Sequence, residues 1–196
     1  MSTLLSFDAI LNEIRAITTR RQIIVEEVPA PSKLAPFAFA MTADVTTVDA
    51  IDNDDSDDDD IATARFVLLH DPAGQEGWLG DFRCVTFVRS SIDQEMASDS
   101  VLSSVGWSWL LDALAKNNCA YTAPSGTVTR VASSSFGSLD ERADSAELEV
   151  RASWTPLDGR EITSHVRAWL DLLEQCAGLE PIPEGVAELH RSQISK

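Results

Sequence analysis

Apolar residues along the chain recur with two different spacings, one typical of helices and one typical of strands. Between residues 4 and 17 they recur every three or four positions, which places them on one face of a helix. The same spacing returns in residues 102–114 and 162–173 and predicts two further helices. Gly178 follows the last of these and predicts its C-terminal end.

Strand-like segments lie between the predicted helices. They are rich in β-branched and aromatic residues or alternate apolar with polar positions, and they span residues 37–48, 61–69, 82–89, 127–134 and 147–154. Residues 22–28 are compatible with one more short strand, and residues 70–74, His-Asp-Pro-Ala-Gly, predict a turn after the second segment. The order is therefore helix, three strands, helix, two strands, helix.

This order predicts an α+β fold with an antiparallel sheet of about five strands and with helices mainly on one face. The other face is then available for self-association or for a partner. Neither an internal repeat nor a linker divides the sequence, so residues 1–196 are expected to form one domain. A chain of this length can bury about 70% of its unfolded surface without the help of disulfide bonds.

Two segments are predicted to lie outside the regular elements. Residues 49–60 are strongly acidic, and their like charges repel one another, which predicts a flexible loop between two strands. Pro181 and Pro183 cannot continue a helix, so they predict an extended C-terminal tail from residue 179 onward.

The chain is strongly negative, since 32 Asp and Glu residues stand against 15 Lys and Arg residues, which gives a net charge of −17. This charge would repel a phosphate backbone or an anionic membrane, so it argues against general nucleic-acid binding and membrane attachment. The first residues show no secretory signal pattern, and Cys84, Cys119 and Cys176 are too far apart for a disulfide framework. The expected location is the reducing cytoplasm.

Five segments spread over most of the chain carry a family resemblance: RFVLLHDP (65–72), VGWSWL (105–110), GTVTR (126–130), ELEVRASWTP (147–156) and PIPEGV (181–186). Together they resemble an actinobacterial family that is described only as a domain of unknown function. The resemblance implies a bacterial cytoplasmic protein of about this length, but it brings no established activity, cofactor or catalytic residue. The acidic segment 49–60 departs from the shorter connection of that family.

The order of elements is also similar to that of class I type III secretion chaperones, although no motif accompanies this topology. Those proteins are small, acidic and commonly dimeric, and they hold extended segments of partner proteins on apolar patches. The resemblance implies protein binding as an expectation. Because one fold can serve many functions, it assigns no residues.

Motifs for metal binding and for nucleophilic catalysis are incomplete. An EF-hand alignment that begins at Asp52 places Asp57 where the loop needs glycine, and Thr63 where it needs a bidentate acid. Beside Ser108, Leu110 replaces the second glycine of a nucleophile elbow. The sequence therefore predicts no metal site, no cofactor and no catalytic residue.

Aromatic residues and strand arginines supply the candidate binding residues. Trp78 stands in a glycine-rich loop, where it either anchors an interface or folds back on the sheet edge. Arg83 and Arg130 lie in predicted strands, where arginines either pair with cross-strand carboxylates or receive the carboxylates of a partner. Trp107 lies on the second predicted helix. These four residues form the predicted binding set.

These observations predict a non-catalytic, chaperone-like or adaptor-like module that binds an unidentified protein partner, and they leave homodimerisation open. One alternative is a small-molecule hydrolase in which His70, Asp71 and His165 converge at one end of the sheet. A second alternative is an acidic nucleic-acid mimic, which would need an ordered stripe of carboxylates. The clustering of acidic residues in one predicted flexible loop argues against that mimic.

Overall fold

A six-stranded antiparallel sheet with helices on one face forms the fold, seen in a computed structural model that describes residues 6–46, 60–139, 143–180 and 190–191. The helices are α1 (Phe7–Arg15), α2 (Gln94–Ser98), α3 (Leu102–Lys116) and α4 (Ile162–Cys176), and single 3-10 turns lie at Gly137–Leu139 and Gly159–Glu161. The strands are β1 (Thr19–Arg20), β2 (Ile23–Val28), β3 (Phe37–Thr46), β4 (Asp60–Gln75), β5 (Gly80–Ser91), β6 (Tyr121–Ser133), β7 (Ser145–Pro156) and β8 (His190–Arg191).

The strand order in the large sheet is β2-β3-β4-β5-β7-β6, and each neighbouring pair is antiparallel. The predicted α+β class with an antiparallel sheet is confirmed, but the predicted number of about five strands is wrong. The sixth strand is β2, which pairs with β3 along its whole length, from Ile23 opposite Val45 to Val28 opposite Ala40. The predicted order also lacked α2 and the short pair formed by β1 and β8.

The turn between β4 and β5 lies later in the chain than the sequence predicts. Residues 70–74 belong to β4, with a shift in register after His70, and the chain reverses beyond Gln75. Proline has no backbone N–H to donate, so Pro72 fits a sheet only where the regular pairing is interrupted. The backbone N–H of Trp78 closes the turn by donating to the Gln75 carbonyl oxygen at 2.9 Å.

The core lies between the helices α1, α3 and α4 and the inner face of the sheet, by which we mean the face on which the helices pack. Phe66 of β4, Trp154 of β7 and Trp169 of α4 are fully buried there. The ring centroid of Phe66 lies 5.4 Å from that of Trp169 and 6.4 Å from that of Trp154. α4 ends at Cys176, and Gly178 with its positive φ of 67° follows it, which confirms the predicted helix end.

A buried hydrogen bond connects α4 to β7. The indole Nε1 of Trp154 donates to Nδ1 of His165 at 3.0 Å, and neither side chain is exposed to solvent. Because Nδ1 accepts this hydrogen bond, the proton of the neutral imidazole is on Nε2. Burial lowers the pKa of His165 from its ordinary 6.5 to about 4. The folded protein therefore holds His165 in its neutral form at physiological pH.

The depressed pKa of His165 predicts acid sensitivity. Between pH 6.5 and 4 the unfolded chain binds the proton more readily than the folded chain, so stability is fully present above this window and falls as the pH falls through it. We expect the free energy of unfolding to decrease by about 2 kcal/mol between pH 7 and pH 5 on account of this group. His165→Gln, whose amide oxygen can still accept from Trp154, should remove this part of the pH dependence.

Urea unfolding of both proteins at the two pH values measures the difference. An equal loss in the wild type and in the variant would show that another group is responsible. Direct titration of the His165 ring by NMR provides the second measurement if the variant does not fold, and a pKa near 6.5 would contradict the prediction.

Candidate functional site

The outer face of the sheet, opposite the helices, presents rows of side chains that are fixed by the strand register. Arg65 of β4 lies opposite Phe87 of β5, and Phe87 lies opposite Arg151 of β7. In the next row towards the β4–β5 turn, Val67 lies opposite Val85. Since successive side chains of a strand point to opposite faces, all of these residues share the outer face.

These outer-face residues line a shallow depression of about 470 Å³. We call it the outer-face patch and define it as Arg65, Val67, Val85, Phe87 and Arg151. The apolar side chains remain partly exposed in the described structure, whereas their inner-face neighbours Phe66 and Val88 are buried. The guanidinium carbon of Arg151 lies 5.1 Å from the centroid of the Phe87 ring, a cation–π distance. The patch is thus an apolar surface between two arginines.

The two arginines of the patch differ in their partners. Arg151 donates to Glu149 on its own strand at 2.9 Å. Arg65 donates to the carbonyl oxygen of Pro29 at 3.1 Å, and no carboxylate of the described residues lies within ion-pair distance of it. Arg65 is exposed to solvent. The patch therefore has an excess of positive charge in a chain of net charge −17.

Arg83, a predicted binding residue, lies on the outer face next to the patch but is nearly buried, with 8% of its surface exposed. Nη1 donates to the Ala123 carbonyl oxygen and to Thr155 Oγ1 at 2.9 and 3.0 Å. Nη2 donates to the hydroxyl oxygens of Ser125 and Ser153 at 3.1 and 2.6 Å. Burial lowers the pKa of Arg83. Because its Nη atoms already have acceptors, the geometry gives Arg83 a structural role, which holds β5, β7 and the irregular start of β6 together.

Trp78, the second predicted residue, lies at the same end of the outer face. Its carbonyl oxygen accepts a hydrogen bond of 2.6 Å from Thr155 Oγ1, and Thr155 in turn accepts from Arg83. The side chain of Trp78 is partly exposed. The structure therefore brings Trp78 and Arg83 together through Thr155, and the binding role of Trp78 stays a prediction.

Trp107 and Arg130 lie on the inner side and do not join this site. The ring of Trp107 packs on Gly126, where an added Cβ would lie 2.8 Å from its Cζ3 atom and would collide with the Arg151 carbonyl oxygen. Arg130 donates from Nη1 to the carbonyl oxygens of Ala97 and Asp99 at the end of α2. Packing on Gly126 explains the position of Trp107, and capping of α2 explains that of Arg130. The four predicted residues therefore do not form one surface.

Sequence reasoning did not select Val67, Val85 and Phe87, although the strand segments contained a signal. β4 and β5 have apolar residues at both odd and even positions, as in Phe66-Val67-Leu68-Leu69. Such a continuous apolar run is typical of a strand that is covered on both faces. In the described structure, helices cover only the inner face. The apolar residues at outer-face positions were therefore the sequence signal that indicated the patch.

The residues of the alternative hydrolase each have separate contacts. The ring of His70 stacks on Phe82 with centroids 4.0 Å apart, and Asp71 accepts from the Ala73 backbone N–H and from the Gln75 side chain. His165 is engaged by Trp154 in the core. These three candidate residues make no hydrogen bond to one another. The structure therefore offers no catalytic arrangement of His70, Asp71 and His165.

Metal-binding side chains and thiols in the described ranges are dispersed as well. They include no group of three or more His, Cys, Asp or Glu residues that could hold a metal ion. Burial raises the pKa of both Cys119 and Cys176 to about 12, so these thiols are poor nucleophiles at neutral pH. No described helix is long and apolar enough to span a membrane. The acidic segment, considered above for calcium and for nucleic-acid mimicry, lies outside the described residues except for Asp60.

Comparison with known proteins identifies a family. A family model described as "protein of unknown function (DUF3000)" matches residues 4–187. Neither the curated proteins nor the solved structures include a match to the chain. The comparisons therefore supply a family, and they transfer neither an activity nor a ligand to the outer-face patch.

The contacts of Arg83 predict that it contributes to stability. Arg83→Met removes hydrogen bonds from a charged donor and leaves the Ala123 carbonyl oxygen without this donor, so we expect the free energy of unfolding to fall by about 1.5 to 3 kcal/mol. Arg89→Met is the matched control on the same strand and the same face. Arg89 forms an exposed ion pair with Glu147 at 2.7 Å, for which we expect a loss below about 1 kcal/mol. Urea unfolding measures both, and equal losses would refute the structural role of Arg83.

Proposed function

Because the chain belongs to the DUF3000 family of proteins of unknown function, we propose a function from the outer-face patch alone: a non-catalytic module that binds a segment of another protein. Such a module acts as a chaperone or an adaptor. The proposal places it in the bacterial cytoplasm, which agrees with three cysteines that are all free.

The observation that carries the proposal is the partly exposed apolar centre of the patch. Val67, Val85 and Phe87 lie side by side on two central strands, where an antiparallel sheet normally presents polar residues to water. A contiguous exposed apolar surface with a polar rim is typical of a protein-binding site. Its width of a few side chains suits a short segment of a partner rather than a whole folded domain.

The occupant that the charges favour is a different protein rather than a second copy of the chain. Two copies would each have a net charge of −17, and their mutual repulsion opposes association. The topological resemblance to secretion chaperones adds no support, because no solved structure matches the chain. The proposal therefore depends on the chemistry of the patch and not on a fold analogy.

The test compares two variants that add the same charge at two places on the outer face. Val85→Lys puts an ammonium group into the centre of the patch, and Val131→Lys puts one at the exposed edge strand β6, where Val131 lies opposite Glu147. We expect a partner that is purified from native cytosol with the wild type and with Val131→Lys to be reduced about tenfold or more with Val85→Lys, since burying a charge against an apolar segment is costly. Quantitative mass spectrometry of the tagged proteins at moderate salt measures this.

Only a captured protein whose recovery falls with Val85→Lys and not with Val131→Lys supports the proposal. Equal recovery with both variants, or recovery of the chain alone, would contradict it. Sedimentation at several concentrations reveals a dimer, and a dimer that Val85→Lys dissociates would assign the patch to self-association instead. Val85→Thr, which exchanges one methyl group for a hydroxyl group, replaces Val85→Lys if circular dichroism shows that the lysine variant is unfolded.

A further inference from the structure

We infer, on the basis of the proposed function, that the segment bound at the outer-face patch has an apolar side chain flanked by two carboxylates. This arrangement follows from the charges around the patch, from the spacing of Arg65 and Arg151, and from the partners of these two arginines.

The patch and its nearest row carry more positive than negative charge. Arg65 and Arg151 flank Phe87, and Arg83 lies two residues before Val85 on the same face of β5. The hydrogen bonds of Arg83 all go to neutral acceptors, so its charge is not neutralised by a carboxylate there. Glu149 is the carboxylate that pairs within this group of residues. Among Arg65, Arg83, Arg151 and Glu149, three positive charges thus stand against one negative charge.

The position of the two patch arginines sets the spacing of the groups that they can bind. Arg65 and Arg151 lie in one cross-strand row with Phe87 between them, so their backbones are two strand spacings, about 10 Å, apart. An extended segment that crosses the strands places residues i and i+4 about 13 Å apart on one face, with residue i+2 between them. The long, flexible arginine side chains can make up the difference between the separation of the two arginine backbones and the separation of residues i and i+4. Carboxylates at i and i+4 would then meet Arg65 and Arg151, while an apolar residue at i+2 meets Phe87 and Val85.

Both arginines can accept such a partner at little cost. Arg65 has no carboxylate to lose within the described structure. The side chain of Arg151 is 61% exposed, and its pair with Glu149 is a surface pair of the kind that contributes at most about 1 kcal/mol. A planar guanidinium also matches a carboxylate through two parallel hydrogen bonds. A long polyanion such as a nucleic acid is disfavoured by the net charge of the chain, whereas a short segment meets mainly the local positive charge.

Two synthetic peptides test the inference on the full chain by NMR. One contains the central sequence Glu-Thr-Leu-Thr-Glu, and the other contains Gln-Thr-Leu-Thr-Gln. We expect the glutamate peptide to shift the Nε–H signals of Arg65 and Arg151 and the methyl signals of Val67 and Val85. The glutamine peptide should bind about tenfold more weakly, and added salt should reduce the difference.

Charge variants of the protein complete the design. Arg65→Gln together with Arg151→Gln should abolish the preference for glutamate. Arg160→Gln together with Arg167→Gln removes the same charge from the turn before α4 and from the exposed side of α4, away from the patch, and should preserve the preference for glutamate. Arg160 lies on the turn beside Asp158, and thermal unfolding confirms that both double variants are folded.

The remaining outcomes overturn the inference. Equal binding of both peptides at the patch would show that it selects apolar segments without regard to charge, and the proposed function would still stand. Shifts elsewhere on the protein, or none at millimolar peptide, would also refute the inference, while the purification experiment with Val85→Lys would decide the proposed function separately.

Discussion

The register of β5 with its two neighbours is the constraint on which both faces of the molecule depend. Cys84 and Val88 of β5 are buried on the inner face, while Val85 and Phe87 between them point outward. A shift of one residue would exchange these sets and would place Arg89 in the core. The register is held on both sides, because β5 pairs with β4 from Ala62 to His70 and with β7 over most of its length.

Side-chain contacts on each face reinforce this register by different means. On the inner face, Trp154 and Trp169 fill the space beneath Phe66, and the hydrogen bond to His165 fixes α4 above β7. On the outer face, Arg83 binds acceptors on β6 and β7 in place of a carboxylate. A buried cation without a carboxylate is costly unless its hydrogen bonds are made, and this one makes several to neutral oxygens. Its charge then adds to the positive potential of the outer face.

The sequence predicted the elements whose spacing is regular, and it failed where irregular backbone decides the structure. The apolar spacing of α4 and the glycine after it were sufficient to predict that helix and its end. The extension of β6 back to Tyr121 was not predicted, because Pro124 lies at an irregularity in the pairing and Ala123 adopts a positive φ of 48°. Neither feature leaves a periodic signal. Arg130 was equally ambiguous, since alternation alone does not reveal which face the end of α2 covers.

Residues on the two faces of the sheet differ in how much apolar surface folding leaves exposed. Inner-face residues are buried against helices, so their substitution changes the free energy of unfolding first. Val67, Val85 and Phe87 keep part of their surface exposed, and an apolar surface that folding leaves accessible can still gain free energy when a partner covers it. In the proposed function, the arginines beside them would restrict which segments can do so, because a cation buried against a partner without an acceptor is unfavourable. In the proposed function, apolar surface supplies the attraction and charge supplies the selection.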